Sequence, residues 1–272
     1  MPTISVVIPA YNAASTLSKA IESVLNQDIQ GNPLELIIVD DGSTDGTSEI
    51  AARYVSTHPH CICLITQQNQ GPSAARNAGI AAAAGKLIAF LDADDQWLPG
   101  KIAAQLSVFT QLPEIALVCT NMNNGRLWGK PNIVLLKFKD LLWSNKVYTS
   151  SVLAKKSALL AAGGFNSQRR LSEDYELWLS ISAIQPIALI NAPYLVYQKN
   201  SGTSSRLWAM ERAELETYSI FYKKGLISSS TYTLLRYWSL AKFARRCALR
   251  HARAMSGAAC KIILSPSCLI PH

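Results

Sequence analysis

Residues 4–27 read ISVVIPAYNAASTLSKAIESVLNQ and combine a short strand with an amphipathic helix. The run 4–8 is rich in β-branched residues and shows no apolar–polar alternation, which is typical of a strand buried on both faces of a parallel sheet. After the loop, apolar residues recur at helical spacing over 17–25, with Ser15 in position to cap the helix. The chain therefore begins with a strand followed by a crossover helix.

The same unit recurs through the first hundred residues. Apolar runs at 34–39, 61–66 and 87–91 alternate with helical segments near 47–55 and 73–83. This alternation predicts a doubly wound α/β domain with a parallel sheet and right-handed crossovers. Ligands of such sheets bind beyond the carboxyl ends of the strands, so the residues that follow each run are the candidates for chemistry.

The pattern beyond residue 98 is less regular. A helix is predicted from Pro99 to about Gln111, and another from Glu173 to Ala183 with Ser172 as its N-cap. The remaining predictions are a short helix at 138–143 and strands at 115–120, 147–154, 187–190 and 194–198.

Length and composition exclude several classes of protein. The chain has 272 residues, of which 49% are hydrophobic and 16% charged, so it can fill a core and is not disordered. The six cysteines form no Cys-x-x-Cys pair, which argues against a zinc or redox site. The start lacks the pattern of a signal peptide, and no apolar stretch reaches the roughly 18 residues of a spanning helix. We therefore expect the protein to be cytoplasmic.

The net charge of +8 is confined to the end of the chain. Residues 1–203 hold 15 Lys/Arg and 15 Asp/Glu, whereas residues 204–272 hold 11 and 3. This asymmetry predicts a neutral catalytic domain over 1–205 and a basic helical extension over 206–272. A basic surface for an acidic polymer substrate is disfavoured on the first part.

Acidic side chains are the main candidates for chemistry, because the glycine-rich motifs of dinucleotide and P-loop enzymes are missing from the sequence. They form three clusters: Asp40-Asp41, Asp92-Ala93-Asp94-Asp95 and Glu173-Asp174. Neighbouring carboxylates repel one another unless a cation or hydrogen-bond donors compensate them. Mg²⁺ or Mn²⁺ held by one or two carboxylates commonly completes its shell with water and phosphates. A nucleoside diphosphate ligand with a divalent cation would fit.

Six strings carry a resemblance to a known family: VVIPAYN (6–12), VDDGSTDGT (39–47), GPSAARNAGI (71–80), FLDADDQWLPGK (90–101), GGF (163–165) and SEDYELWL (172–179). Together and in this order they resemble the inverting nucleotide-sugar glycosyltransferases of family 2. The resemblance covers roughly residues 3–205. It implies a GT-A fold, that is, a Rossmann-like, mostly parallel sheet flanked by helices, here with a C-terminal helical extension.

The resemblance also implies an activity. A sugar would move from a nucleotide-diphosphate donor, by family habit a UDP-sugar, to a hydroxyl of a glycan or lipid-linked acceptor. Bacterial relatives act mostly in surface polysaccharide or lipopolysaccharide biosynthesis. Two other functions stay open: a nucleotidyltransferase of related fold, and a non-catalytic module that binds nucleotide sugars.

The resemblance assigns the donor site to eight residues: Pro9, Ala10, Tyr11, Asp40, Asp41, Arg76, Asp92 and Asp94. Tyr11 would stack on the base, and Asp41 would accept a hydrogen bond from its imide nitrogen. The alternative for residues 40–46 is a solvated turn. Arg76 would reach the nucleotide or brace the acidic loop, and its alternative is an ordinary ion pair.

Asp92 and Asp94 match the family's Asp-x-Asp motif and would hold the divalent cation, Mg²⁺ or Mn²⁺. In an extended segment, residues two apart point to the same side, so both carboxylates could converge on the cation and the ribose. Asp95 is a further candidate, with the N-cap of a helix near residues 97–99 as its alternative.

Asp174 matches the family's catalytic base, and Glu173 would orient it or the acceptor. The alternative is that both acids only favour the positive end of the following helix. Gly163 and Gly164 would let the backbone approach a sugar closely, or cap a helix, or do both.

One position departs from the family pattern. After the last core strand, Asn200 stands where the family often has histidine, which puts protein ligation of Mn²⁺ from this loop in doubt. Lys199 and Arg206 remain candidates for contact with the diphosphate.

The tail predicts an amphipathic helix over 231–255. Its basic side chains fall on one side of a helical wheel: Lys242, Arg245, Arg246, Arg250 and Arg253. No acidic residue follows Glu216, so this stripe is expected to be unpaired within the tail and to attract an anionic membrane surface rather than nucleic acid. The alternative is a helix packed on the catalytic domain with a solvated basic face.

Overall fold

The computed structural model describes residues 4–123, 129, 132–197 and 207–263, with side chains up to residue 249. Within them the strands are β1 (Ile4–Ala10), β2 (Leu34–Asp40), β3 (Ile62–Thr66), β4 (Leu87–Phe90), β5 (Gln96–Trp97), β6 (Leu117–Met122), β7 (Ile133–Leu136), β8 (Leu153–Lys155) and β9 (Ile187–Val196). The helices are α1 (Leu17–Leu25), α2 (Thr47–Thr57), α3 (Pro72–Ala82), α4 (Lys101–Gln111), α5 (Phe138–Leu142), α6 (Lys156–Ala161), α7 (Glu173–Ser182), α8 (Leu207–Lys223) and α9 (Ser229–Ile263).

The first half of the sheet is parallel, in the strand order β3-β2-β1-β4. Residues 4–8 of β1 are fully buried, because helices cover both faces, as the missing alternation predicts. The register pairs Ala10 with Asp40, so the carboxyl ends of β1 and β2 coincide. The β4 strand ends beside them at Phe90, and the loops after β1, β2 and β4 therefore leave one edge of the sheet.

Beyond β4 the sheet is mixed. The β8 strand is antiparallel to both β4 and β6, while β6 and β9 are parallel. The short strands β5 and β7 pair antiparallel with β9. A mixed sheet flanked by helices confirms the predicted GT-A architecture. This half of the sheet contains antiparallel pairs, whereas the first half is parallel throughout.

Two strand predictions in this half are wrong. Residues 147–154 do not form one strand, because Thr149–Ser151 is a 3₁₀ turn and β8 begins only at Leu153. There the Ser151 hydroxyl donates to the carbonyl of Tyr148 at 2.7 Å, the kind of local bond by which Ser and Thr compete with extended structure. The predicted break within 187–198 is instead a register shift beside Pro193, within the continuous strand β9.

Backbone contacts divide the chain into two compact units, Met1–Asn200 and Ser201–His272. The predicted boundary at residue 205 lies outside the described residues. In the second unit α8 packs along α9. None of the helices over the described residues is both long enough and apolar enough to cross a bilayer.

The expectation that the basic stripe of the tail has no partner within the tail is wrong. Lys242 pairs with Glu214, and Arg246 Nη2 lies 2.8 Å from an oxygen of Glu211. The acids that precede residue 217 lie on α8 and meet the basic residues of α9 because the two helices pack together. Of the other predicted members, Arg245 is exposed, and the side chains of Arg250 and Arg253 lie outside the described ones.

Candidate active site

Asp40 and Asp41 leave β2 at the carboxyl edge of the sheet, and both are buried. Asp40 accepts a hydrogen bond from the Ser43 backbone at 3.0 Å. Gly42 follows with φ of +76°, and a Cβ there would lie 2.9 Å from the Asn69 nitrogen, so only glycine fits this tight turn. The structure therefore builds this acidic pair as an ordered turn rather than as a solvated one.

Asp41 is held by three donors. Its Oδ1 accepts from Gln67 Nε2 at 2.7 Å and from the Gln70 backbone at 2.9 Å, and its Oδ2 accepts from the Gly71 backbone at 2.8 Å. A carboxylate offers about four acceptor positions, so one remains for a ligand. The side chain is fixed in direction before any ligand arrives.

The residues after β1 lie beside this turn. Pro9 and Ala10 are the last residues of the strand, and the Ala10 carbonyl accepts from the Asp41 backbone at 2.8 Å. Tyr11 follows them and is 52% exposed. Tyr11 therefore follows the residue that is bonded to the Asp41 backbone, and its exposed ring is available for stacking.

The Asp-x-Asp segment does not continue β4, so the extended geometry expected of it is absent, and the convergence of its two carboxylates stays a prediction. Residues 92–95 form a turn closed by a 3.0 Å hydrogen bond from the Asp95 nitrogen to the Asp92 carbonyl. Asp92, Asp94 and Asp95 therefore lie together on one turn rather than on an extended strand.

Asp95 anchors this turn. It is buried, and its Oδ2 accepts from the Ser150 hydroxyl at 2.6 Å. The same hydroxyl accepts from the Asp92 nitrogen at 3.1 Å. The alternative role as an N-cap is wrong, because α4 begins only at Lys101 and its N-cap is Gly100 in a left-handed conformation.

Arg76, on α3, joins two of the acidic clusters. Its Nη2 lies 2.7 Å from Asp92 Oδ1 and its Nη1 lies 3.3 Å from Glu173 Oε1. Its side chain is 7% exposed, and the guanidinium carbon lies 5.2 Å from the ring centre of Phe165. Burial lowers the pKa of Arg76, but the charges of the acids around it outweigh burial and raise that pKa. These contacts fit both the predicted bracing of the acidic loop and its alternative, an ordinary ion pair.

Asp174 lies in the first turn of α7, next to Glu173. Its Oδ1 accepts from the Tyr175 nitrogen at 2.7 Å, and its Oδ2 faces the Thr149 hydroxyl at 3.3 Å and the Asn145 amide at 3.5 Å. Ser172 precedes the pair with φ of +58° and makes no side-chain cap, so its predicted capping bond is wrong. This left-handed residue turns the chain sharply into the helix.

The pKa of Asp174 is raised to about 6. Burial is the largest cause, and the negative charge of Glu173 adds to it, while Arg76 acts in the opposite direction. A carboxylate of this basicity is ionised at neutral pH and accepts a proton more readily than an ordinary aspartate. Perturbed carboxylates of this kind occur most often at functional sites.

Gly163 and Gly164 close α6. Their nitrogens donate to the carbonyls of Leu160 and Leu159 at 3.0 and 2.9 Å, and both have positive φ, which together form a Schellman motif. A Cβ on Gly164 would lie 2.8 Å from Asn77 Oδ1. The helix-capping role is therefore present, and contact with a sugar stays a prediction.

Several residues that lie at the site were not predicted from the sequence. Thr149 and Ser150 lie on a segment predicted as a strand, where a 3₁₀ turn brings them to the acidic residues, and Asn145 reaches Asp174 from the residues before it. Tyr197 faces the acidic turn: burial raises its pKa, and the charges of the three aspartates there raise it further. Three predicted site residues, Lys199, Asn200 and Arg206, lie outside the described residues.

The acidic turn suits a hard divalent cation by its donor chemistry. It concentrates carboxylates, yet Asp92 already pairs with Arg76 and Asp95 accepts from Ser150. Accordingly, over the part of the chain that the structure describes, no three His, Cys, Asp or Glu side chains are grouped as a closed metal site. Mg²⁺ and Mn²⁺ do not need one when a diphosphate supplies further oxygens. The residues present fit a cation shared with a ligand.

The fold and the site together define a GT-A enzyme with its carboxylates at the carboxyl edge of the sheet. The model of the family described as Glycosyl transferase family 2 matches residues 5–161, which is more than half of the chain. The chain belongs to glycosyl transferase family 2.

Similar proteins agree with this assignment. An uncharacterized glycosyltransferase of Haemophilus influenzae is 30% identical over 86% of this chain and 95% of that protein. Two longer curated relatives, by contrast, are matched over only 28% and 32% of their lengths.

Two solved structures share the fold. The mannosyltransferase PcManGT from Pyrobaculum calidifontis, in complex with GDP-Man and Mn²⁺, has a TM-score of 0.65 at 20% identity, over 97% of this chain and 81% of that one. TarS 1–349 of S. aureus, in complex with UDP-GlcNAc, has a TM-score of 0.64 at 19% identity, over 80% of this chain and 66% of that one.

Proposed function

We propose that residues 1–205 transfer one sugar, with inversion, from a UDP-sugar to a hydroxyl of a glycan or lipid-linked acceptor. The observation that carries the proposal is Asp174, whose pKa is raised to about 6 and which is linked through Glu173 and Arg76 to the acidic turn. A single displacement requires a base on the acceptor side and charge compensation on the donor side, and Arg76 pairs with one acid beside each, Glu173 and Asp92. The nucleotide sugars bound to PcManGT and TarS support the donor class.

The nucleoside would bind at the ends of β1 and β2. Tyr11 stacks on the base, and the remaining acceptor position of Asp41 takes the imide hydrogen of uracil. Pro9, Ala10 and Asp40 shape the floor of this pocket. The three hydrogen bonds on Asp41 hold its carboxylate in place beforehand, so little ordering free energy is lost on binding.

A divalent cation, Mg²⁺ or Mn²⁺, would be held by Asp94 and Asp92. When bound, it neutralises negative charge that develops on the departing diphosphate. The Mn²⁺ of PcManGT supports this assignment. The Ser150 hydroxyl, between Asp95 and the Asp92 nitrogen, keeps this turn in shape.

Asp174 would act as the general base. The acceptor hydroxyl gives its proton to the carboxylate, its oxygen forms the bond to the anomeric carbon, and the bond from that carbon to the diphosphate oxygen breaks. The nucleoside diphosphate leaves with the bonding electrons. Arg76 counteracts Glu173 and so keeps Asp174 ionised at neutral pH.

We propose further that the acceptor belongs to bacterial surface polysaccharide or lipopolysaccharide biosynthesis, with the enzyme at the inner face of the cytoplasmic membrane. A nucleotidyltransferase and a non-catalytic binding module are the competing functions. Incubation with Mn²⁺ and a panel of nucleotide sugars, and separately with nucleoside triphosphates and a sugar phosphate, separates the three. Release of the nucleoside diphosphate by slow hydrolysis supports transfer, release of pyrophosphate from a nucleoside triphosphate supports the nucleotidyltransferase, and binding without turnover supports the module.

Two substitutions test the assigned roles. Asp94→Ala should weaken Mn²⁺-dependent UDP binding at least about tenfold, whereas Glu114→Ala, at an exposed acid on another surface, should leave it unchanged. Asp174→Asn should keep donor affinity within about twofold and lower turnover by about 10²- to 10⁴-fold. Full affinity in the first variant rejects the cation site, and full turnover in the second rejects the base.

A further inference from the structure

The helix α9 turns Ser239, Lys242 and Arg246 inward, toward α8. The fully buried Glu211 accepts from the Ser239 hydroxyl at 2.6 Å and from Arg246 at 2.8 Å. Lys242 pairs with Glu214 on the same side of the helix. The face that packs on α8 therefore carries the ion pairs that usually lie on a solvated face.

Another face of α9, centred about 120° around the helix from those groups, is mostly apolar and exposed. At about 100° per residue, its members fall within about 140° of one another. We call it the outer face, and it comprises Leu234, Tyr237, Trp238, Ala241, Ala244, Arg245, Ala248 and Leu249, all of them exposed. The exposed fractions of Leu234, Tyr237 and Leu249 are 56%, 70% and 47%. The basic residues of α9 predict a charged exposed face and an apolar packed face. In the structure the ion pairs lie on the packed face and apolar side chains are exposed.

The charge around the outer face points to what covers it. Residues 204–272 hold 11 Lys and Arg against three acids, so this end of the chain carries a net positive charge. Arg245 lies within the outer face and Arg236 lies about 80° beyond its edge on the helical wheel, and both are exposed. A second copy of this face would add a second Arg245 but no acid to pair with it. An anionic lipid surface offers both acyl chains and negative headgroups.

The residue types fit that surface. Tyr and Trp rings concentrate at the boundary between headgroups and hydrocarbon, and aliphatic side chains enter the hydrocarbon just below it. The long stem of an arginine lets its head reach phosphate while its carbons stay among the apolar residues. From Leu234 to Leu249 the helix extends about 22 Å, long enough for four large side chains to insert in a row.

We propose that the outer face of α9 docks on an anionic lipid bilayer, with the helix lying in the plane of the surface. The contact is both apolar and electrostatic, in contrast to adsorption through basic residues alone. It does not depend on the proposed transfer reaction, so either can fail without the other.

Flotation of the full chain with phosphatidylcholine vesicles, with or without phosphatidylglycerol, tests the proposal. The double variant Leu234→Ser, Tyr237→Ser should lower the partition coefficient on phosphatidylglycerol vesicles at least about tenfold. The matched control is Leu160→Ser, Ile184→Ser, which removes two equally exposed apolar side chains (58% and 70%) from the other unit and should bind as the parent does. Circular dichroism checks that both variants are folded.

Salt and self-association supply the other readouts. High salt should weaken binding of the parent chain but leave a residual fraction, because the apolar contact is not screened. No binding at low salt, equal binding by the outer-face variant, or complete loss of binding in high salt would each overturn the proposal. So would a dimer in sedimentation velocity that the outer-face variant converts to a monomer, since the outer face would then join two copies.

Discussion

Replacing the proposed base by its neutral isostere should stabilise the protein at neutral pH while it removes activity. The pKa of Asp174 is about 6 in the folded chain against an ordinary value of 3.8, chiefly because burial disfavours the charged form. The folded state therefore holds the proton more tightly than the unfolded state does. Between about pH 4 and pH 6 the stability of the parent falls as pH rises, and above pH 6 the full cost persists.

The magnitude follows from the shift. About two pKa units correspond to about 3 kcal/mol. Because the side chain is only partly buried and Asn145 and Thr149 point donors at it, about 2 kcal/mol is the expected gain for Asp174→Asn at pH 8. For a domain of this size that is a rise of about 4–8 °C in the unfolding temperature. At pH 4 the gain should be close to zero.

Thermal unfolding followed by circular dichroism from pH 4 to pH 8 measures this difference. Glu114→Gln, at an exposed carboxylate, removes the same charge without burial and should show no such trend. If Asp174→Asn lowers the unfolding temperature equally at pH 4 and pH 8, the carboxylate is an ordinary hydrogen-bond acceptor and the reasoning fails.

Three further predictions concern the surroundings of the base. Arg76→Leu leaves two carboxylates without their cation and should lower the free energy of unfolding by about 3 kcal/mol, measured by urea denaturation. Gly164→Ala should cost about 2 kcal/mol by the same measurement because of its close contact and positive φ, and Gly163→Ala, with φ of +88° but open space around it, about 1 kcal/mol. Glu173→Gln removes the negative charge that raises the pKa of Asp174, so the acid limb of the pH profile of kcat should move to lower pH; an unchanged limb would contradict the assignment.

The sequence predicted the parallel half of the fold well, because its signals are local. An unbroken β-branched run such as residues 4–8 can be buried only between two layers, and helical spacing follows it directly. The second half depends on tertiary pairing. Nothing near Leu153 indicates that a three-residue strand there joins β4 to β6 with the opposite direction.

The sequence predicted the acidic residues of the candidate site but not the residues that form hydrogen bonds with them. Asp41, Asp92 and Asp174 follow from motif resemblance, whereas Ser150 and Thr149 act only because a 3₁₀ turn brings them near. The tail shows the same limit. A helical wheel finds the basic side of α9, but which side faces α8 depends on Glu211, 28 residues before Ser239.

The bridge made by Arg76 also bears on how the enzyme would lose activity under stress. The guanidinium and the two acids it holds are separated by 16 and 97 residues along the chain, so the bridge exists only when both halves of the sheet are assembled. A local opening that releases α7 would separate the acceptor side from the donor side while strands β1 to β4 stayed folded. Inactivation by heat or denaturant should then precede global unfolding, and a nucleotide could still bind to a chain that no longer transfers sugar.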